Sequence, residues 1–192
     1  MKKSKEIISD KVAVVNQILP HTNKWAWDLF IDGAANNWMP TEISMAKDIE
    51  QWKGKSLSEA EKVVVKRCLG FFAGSESLVA NNLLLSIFKF VTDAECRQYI
   101  LRQAYEESLH NLTVVYCCDS LGLDIDEVYQ AYSSVPSIKS KDDFLMEIST
   151  DINRADFNIN TLEGKREFLR NMVTYYVICE GIFFYSGFAM LL

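Results

Sequence analysis

Four side chains stand out as candidates for chemistry. His110 closes the segment Tyr105-Glu-Glu-Ser-Leu-His110, three residues after Glu107. On a helix, positions i and i+3 share a face, so this carboxylate and imidazole can reach one point beside it. Glu76 lies in Phe71-Phe-Ala-Gly-Ser-Glu-Ser-Leu-Val-Ala80, and Glu180 in Tyr175-Tyr-Val-Ile-Cys-Glu-Gly-Ile-Phe-Phe184, both otherwise uncharged. A buried carboxylate needs a proton, a partner or a metal. One Glu-x-x-His alone is more often a surface ion pair. Three isolated glutamates on three apolar stretches, one of them in Glu-x-x-His, make a convergent metal site the simpler account. Carboxylates with imidazole suit iron or manganese. A structural zinc site would favour cysteine, and none of the five cysteines forms a Cys-x-x-Cys pair. His21, after Pro20 and without an acidic neighbour in sequence, is expected to be a surface or turn histidine.

Long helices must position these groups. Ser58-Glu-Ala-Glu61 is a capping box, and the helix it opens should run to about Val91. Thr92-Asp-Ala-Glu95 reads as a second box, opening a helix from Asp93 to about Leu121 with Gly122 just past its end. A shorter helix is expected near Asp126–Tyr132, broken by Ser133-Ser-Val-Pro136. Others are expected over Lys141–Arg154 and from Leu162 to Leu192. No stretch alternates with period two, so the class is all-α, a helical bundle. Residues 1–24 read as a polar arm and 25–192 as one domain, whose first part, 25–56, holds all four tryptophans.

Composition excludes several classes. With 49% apolar and 24% charged residues the chain is globular rather than disordered. A net charge of −6 and a pI near 5.0 argue against nucleic-acid binding. An odd number of cysteines without framework spacing fits a reducing, cytoplasmic setting. Residues 1–6 carry no apolar signal-peptide core. Tyr175–Leu192 is 18 residues long with one charge, Glu180, but a glutamate within a span is costly, so no membrane association is expected.

Taken in order, Trp38-Met-Pro40-Thr-Glu42, Phe71-Phe-Ala-Gly-Ser-Glu76, Glu107-Ser-Leu-His110 and Glu180-Gly-Ile-Phe-Phe184-Tyr-Ser-Gly-Phe188 resemble the small, radical-generating (beta) subunit of class I ribonucleotide reductase. The resemblance runs from about Trp25 to Leu192. It implies a ferritin-like bundle with a dinuclear metal centre, for which Glu76, Glu107, His110 and Glu180 are ligands. It implies that Trp38 relays an electron between the surface and the metal-bound His110, and that Phe184 and Phe188 line the site. The family's radical tyrosine stands four residues after the first metal histidine, and here that residue is Val114. Glu76 replaces the aspartate usual in tyrosyl-radical members. Both features resemble the tyrosine-free subclass, implying a Mn/Fe pair, with Fe/Fe as the alternative.

The family takes its last two ligands from a second Glu-x-x-His, and this sequence has no second copy. The aspartate that links the tryptophan to the histidine in the family would lie in the same missing part. The chain is therefore expected to be the N-terminal portion of a small subunit, without the last ligand helix and the C-terminal tail. Implied partners are the large subunit, a second small subunit, and a C-terminal small-subunit portion carrying the second Glu-x-x-His. The implied function is to generate the oxidising equivalent for reducing ribonucleotides to deoxyribonucleotides, with nucleotides bound by the large subunit. Two other readings stay open: a ferritin-type di-iron protein completing its site across a homodimer, against which Trp38 and Glu180 speak, and a metal-free scaffold or inactive paralogue.

Overall fold

A computed structural model describes residues 6–192. The helices are α1 (Lys24–Ala35), α2 (Ala46–Lys53), α3 (Glu59–Asn81), α4 (Ala94–Leu121), α5 (Ile125–Tyr129), α6 (Ala131–Ser134), α7 (Pro136–Asn153), α8 (Leu162–Val173) and α9 (Tyr185–Leu191). Two π-helical stretches interrupt them: Asn82–Ile87 continues α3, and Thr174–Phe184 joins α8 to α9. The fold is all-α and ferritin-like, as expected. Among the described residues the only extended pairing is an isolated antiparallel bridge between Ile8 and Val91.

The chain's own chemistry sets most helix ends. Ser58 Oγ accepts from the Glu61 N–H, and the Glu61 carboxylate accepts from the Ser58 N–H, so the first capping box forms as read. The second does not. Asp93, not Thr92, caps α4 by accepting from the Cys96 N–H at 2.9 Å. Thr92 Oγ1 instead donates to the Glu6 carbonyl. Gly122 ends α4 at φ 66°, a left-handed conformation that costs glycine nothing. α7 begins at Pro136, well before Lys141, because proline at the first helical position needs no N–H acceptor and arrives with a helical φ. Ser133 and Ser134 are accordingly helical, in α6, rather than a break.

α3 is the central helix. It packs against α4, against α5 to α7 and against α9. Its approach to α6 is so close that a Cβ on Gly70 would stand 2.4 Å from the Ala131 Cβ. α1 lies on α4, and α8 on α7. Phe71 and Phe72 meet Phe184 edge-on at 5.5 and 5.6 Å between centroids, which closes α3 against the last helix. Deeper in, Asn82 and Asn171 exchange two side-chain hydrogen bonds of 3.0 and 3.1 Å, and Ser149 donates to Asn82 at 2.9 Å.

The last helix departs from the continuous α-helix expected over 162–192. Its buried positions step from Phe168 to Asn171 to Tyr175 to Cys179, and then five residues to Phe184. That longer step is the π-helical one, and it returns Phe184 and Gly187 to the core. The arm also differs from a free polar segment. The Ser9 N–H donates to the Phe90 carbonyl and the Thr92 N–H to the Ile7 carbonyl. His21 is an exposed histidine outside the helices, as expected, but its Nδ1 lies 3.1 Å from Glu95, a fully buried carboxylate that also accepts from the Thr22 N–H. Residues 1–5 of the expected arm lie outside the described residues.

Two helical stretches, Glu59–Ile87 and Leu162–Leu191, are long and apolar enough to cross a membrane by length and composition. Only the second, through Tyr175–Leu192, stands out as a candidate span in the sequence. In the first, 61% of the most apolar stretch is buried inside the bundle, as in a core helix; in the second, 28% is.

Candidate metal centre

Glu76 is set in place from both sides. Its predecessor Ser75 donates to Asp142 of α7 at 3.0 Å, and its successor Ser77 donates to Asn111 of α4 at 3.2 Å. Asn111 directly follows His110 and donates to the Glu107 carbonyl at 2.9 Å. The Ser77–Asn111 bond therefore fixes the stagger of α3 against α4 at the level where Glu76 faces Glu107 and His110.

These three meet. His110 Nδ1 stands 3.0 Å from a Glu107 oxygen and 3.2 Å from a Glu76 oxygen, and one ligand atom from each residue lies within 4.8 Å of the others. Glu76 and Glu107 are buried, at 5% and 3% exposure respectively, while His110 is partly open. Glu180 stands outside this close group. It lines the same cavity, of about 510 Å³, from the π-helical stretch, and its buried Oε1 has no hydrogen-bond partner among the described residues. Trp38, Val114, Phe184 and Phe188 also line the cavity, as do Phe72 and Leu69, which the sequence reading did not single out. Phe188 stacks on Phe72 at 5.0 Å.

The electrostatics are those of a site short of positive charge. Burial, with the fields of Glu107 and Glu76 added, pushes Glu180 up to about 8. Burial also raises Glu76 to about 6, against the pull of His110. Burial opposes charge on His110, but the hydrogen bonds to Glu107 and Glu76 outweigh it and raise the ring to about 10. Without a cation, protons must do the neutralising. Three carboxylates, one of them with an orphaned oxygen, and one imidazole make a donor set that fits hard iron- or manganese-type cations.

Trp38 lies beside His110, its ring centroid 6.0 Å from the imidazole's with the planes 30° apart. Its Nε1–H donates to Glu106 at 2.9 Å. The sequence reading missed Glu106. The available signal was the spacing Arg102, Glu106, His110, which puts all three in one row of α4. Val114, at 4% exposure, sits one turn beyond His110 on the cavity wall.

Comparison with known proteins gives a consistent result. The family model for the ribonucleotide reductase small chain matches residues 15–192. The ribonucleoside-diphosphate reductase subunit beta of Chlamydia pneumoniae is 53% identical over 178 residues, covering 93% of this chain and 51% of that protein. The ribonucleotide reductase R2 subunit from Clostridium botulinum superposes with a TM-score of 0.83 at 24% identity, over 99% of this chain and 58% of that one. The dimanganese(II)-NrdF of Streptococcus sanguinis does so with a TM-score of 0.65 at 22% identity, over 94% and 57%. At those identities the two structures speak for the fold. The chain spans about half the length of the curated relatives it matches.

Proposed function

The chain belongs to the ribonucleotide reductase small-chain family, and from that premise we propose that it forms the first half of a radical-generating small subunit. Glu76, Glu107, His110 and Glu180 would hold a dinuclear metal centre, with further ligands from a C-terminal small-subunit portion carrying a second Glu-x-x-His. The observation that carries this reading is the meeting of Glu76, Glu107 and His110 beside a cavity into which Glu180 brings an unpartnered buried oxygen. The family assignment displaces the ferritin-type alternative.

The metal pair, when bound, supplies the oxidising equivalent passed to the large subunit for reducing ribonucleotides to deoxyribonucleotides. The chain's residues do the rest. Glu76, Glu107 and Glu180 offer negative charge that a cation would neutralise in place of protons. His110 turns Nδ1 towards the carboxylates and leaves its ring face to Trp38. Phe72, Phe184 and Phe188 make the wall apolar and limit water. Val114 offers no oxidisable group where the family's tyrosine stands, so we favour the tyrosine-free, Mn/Fe form over Fe/Fe. The manganese named for the Streptococcus sanguinis relative is compatible with that choice. The protein would work in the cytoplasm, with a large subunit and a second small subunit.

The test is metal analysis with size-exclusion chromatography, with and without a polypeptide carrying the second Glu-x-x-His helix. The expected result is weak metal binding and self-association alone, and a monodisperse complex with two metals per site once the polypeptide is added. EPR after addition of Mn, Fe and O₂ should lack a tyrosyl signal. A soluble monomer that binds two metals tightly unaided would overturn the need for a complementing portion. A phenoxyl signal would overturn the tyrosine-free reading.

A further inference from the structure

A second hollow, of about 240 Å³, lies away from the carboxylates, between α3, the start of α7 and α9. Val64, Arg67, Cys68 and Phe71 stand at i, i+3, i+4 and i+7, so a single stripe of α3 forms one wall. Cys68, Phe71 and Ile138 are buried and make an apolar floor. Val64 and Met190 are exposed and stand at the rim.

Two cations border this apolar floor. Arg67 is exposed, and Lys141 holds its ammonium over the rings of Phe71 and Phe183, 4.7 and 5.2 Å from their centroids. The ring faces attract the ammonium but do not neutralise it. Nearby basic residues have carboxylate partners, Lys66 in Glu127 and Lys139 in Asp143. Among the described residues, Arg67 and Lys141 have none within ion-pairing distance. Burial pushes the Cys68 thiol up and the field of Lys141 opposes it, so the lysine charge acts across the hollow. α7 also begins here with no acidic residue in its first turn, and its positive end adds to the same field.

We propose that this hollow binds a small anionic amphiphile, a carboxylate held by Arg67 and Lys141 on an apolar body that lies over Cys68, Phe71 and Ile138. Arginine presents a planar fork that matches a carboxylate, and lysine adds a point charge. At roughly 30 Å³ for each water-sized group, the volume takes about eight of them, so the body is a medium alkyl chain or a single ring. The occupant would touch α3, α7 and α9 together, and so fasten the last helix to the more firmly packed part of the bundle. Glu76, Glu107, His110, Glu180 and Trp38 take no part in the hollow, so binding there depends neither on the metal centre nor on the relay.

Equilibrium dialysis of the chain as expressed against radiolabelled octanoate is the test. One octanoate per chain is expected. Octanol, which lacks the charge, and acetate, which lacks the body, should each bind at least about 10-fold more weakly. Arg67→Gln and Lys141→Gln should each weaken octanoate by about 10-fold or more, the worth of a charge-assisted hydrogen bond, and leave octanol unchanged. Lys55→Gln, on the exposed segment after α2, is the control and should change nothing. Lys141 packs on two rings, so if its substitution lowers the melting temperature of the ligand-free chain, Arg67→Gln decides. Octanoate binding that ignores Arg67→Gln overturns the proposal. Octanol bound as tightly as octanoate does so too, because it marks a merely apolar surface, and acetate bound as tightly marks a merely cationic one. Octanoate should also raise the melting temperature of the unsubstituted chain more than that of Arg67→Gln. The dialysis is repeated with the polypeptide carrying the second Glu-x-x-His helix. Binding should persist; its loss would assign the hollow to that polypeptide and overturn the proposal.

Discussion

The α3–α4 face and the last helix each bring carboxylates to one cavity, but they are built to different standards. On the first, Glu76, Glu107 and His110 are flanked by Ser75–Asp142 and Ser77–Asn111 hydrogen bonds, and the helices are packed on both sides. On the second, Glu180 comes from a π-helical stretch, its Oε1 has no partner, and Val177, Ile182, Tyr185, Phe188 and Met190 are exposed. The lesson is that ligand geometry is organised where helices pack on both sides of the ligands, and is less fixed where the helix face is exposed.

The largest expected effect follows from that contrast. Glu107→Ala or His110→Ala should weaken Mn(II) binding by at least ~100-fold, beyond what loss of a supporting partner typically costs. Glu180→Ala should cost the isolated chain less than about tenfold, because the carboxylate stands outside the close group. Competition with a chromophoric chelator measures both. Equal losses would erase the distinction between the two regions.

A smaller effect probes the support behind Glu76. Asp142 is 2% exposed, and burial raises its pKa to about 6 from 3.8. A carboxyl raised on folding contributes stability that is fully present below its unfolded pKa and is lost as pH rises through the folded value. Its ionisation should therefore cost up to ~3 kcal/mol by pH 8. Asp142→Asn should flatten the stability profile between about pH 4 and 7 and raise the urea midpoint at pH 8. A profile unchanged by the substitution would show that Asp142 stays charged in the fold.

The smallest effect compares a glycine of α3, the helix that carries Glu76, with one of the last helix. Gly70→Ala drives a Cβ against Ala131 and the Val128 carbonyl, neither of which can swing aside, and should cost about 1–3 kcal/mol. Gly187→Ala meets only the tip of the Phe72 ring, at 2.6 Å, and that ring borders the cavity. It should cost less than about 1 kcal/mol by thermal denaturation, because the ring has space to move into. The reverse order would mean that the last helix is the more rigidly packed of the two.

Much of the better-organised region was legible in sequence. The i, i+3 spacing of Glu107 and His110, the Ser58 cap and the Gly122 terminus are local rules, and they hold. What was not legible depends on register or on distant partners. The stretch around Glu180 is apolar nearly all round, so no stripe marks the five-residue step from Cys179 to Phe184. Thr92-Asp-Ala-Glu95 fits the capping-box pattern, but tertiary contacts claim both of its ends: Thr92 for Glu6, and Glu95 for Thr22 and His21. Glu106 looks like a surface charge until Trp38 is laid against it.

The arm's attachment has a kinetic consequence. Its bonds join residues far apart along the chain, 74 positions in the case of His21 and Glu95. Closing so long a loop costs chain entropy before any contact compensates for it, so the arm should fasten only after α3 and α4 have packed. By the same token it should unfasten first. Its release would bring water to Glu95 while leaving the ligand helices folded, a partial opening well below the free energy of global unfolding. Hydrogen exchange should register this as the amides of Ser9, Thr22 and Thr92 exchanging together, ahead of those in the middle of α4; protection equal to that of α4 would mean that the arm and bundle open as one unit.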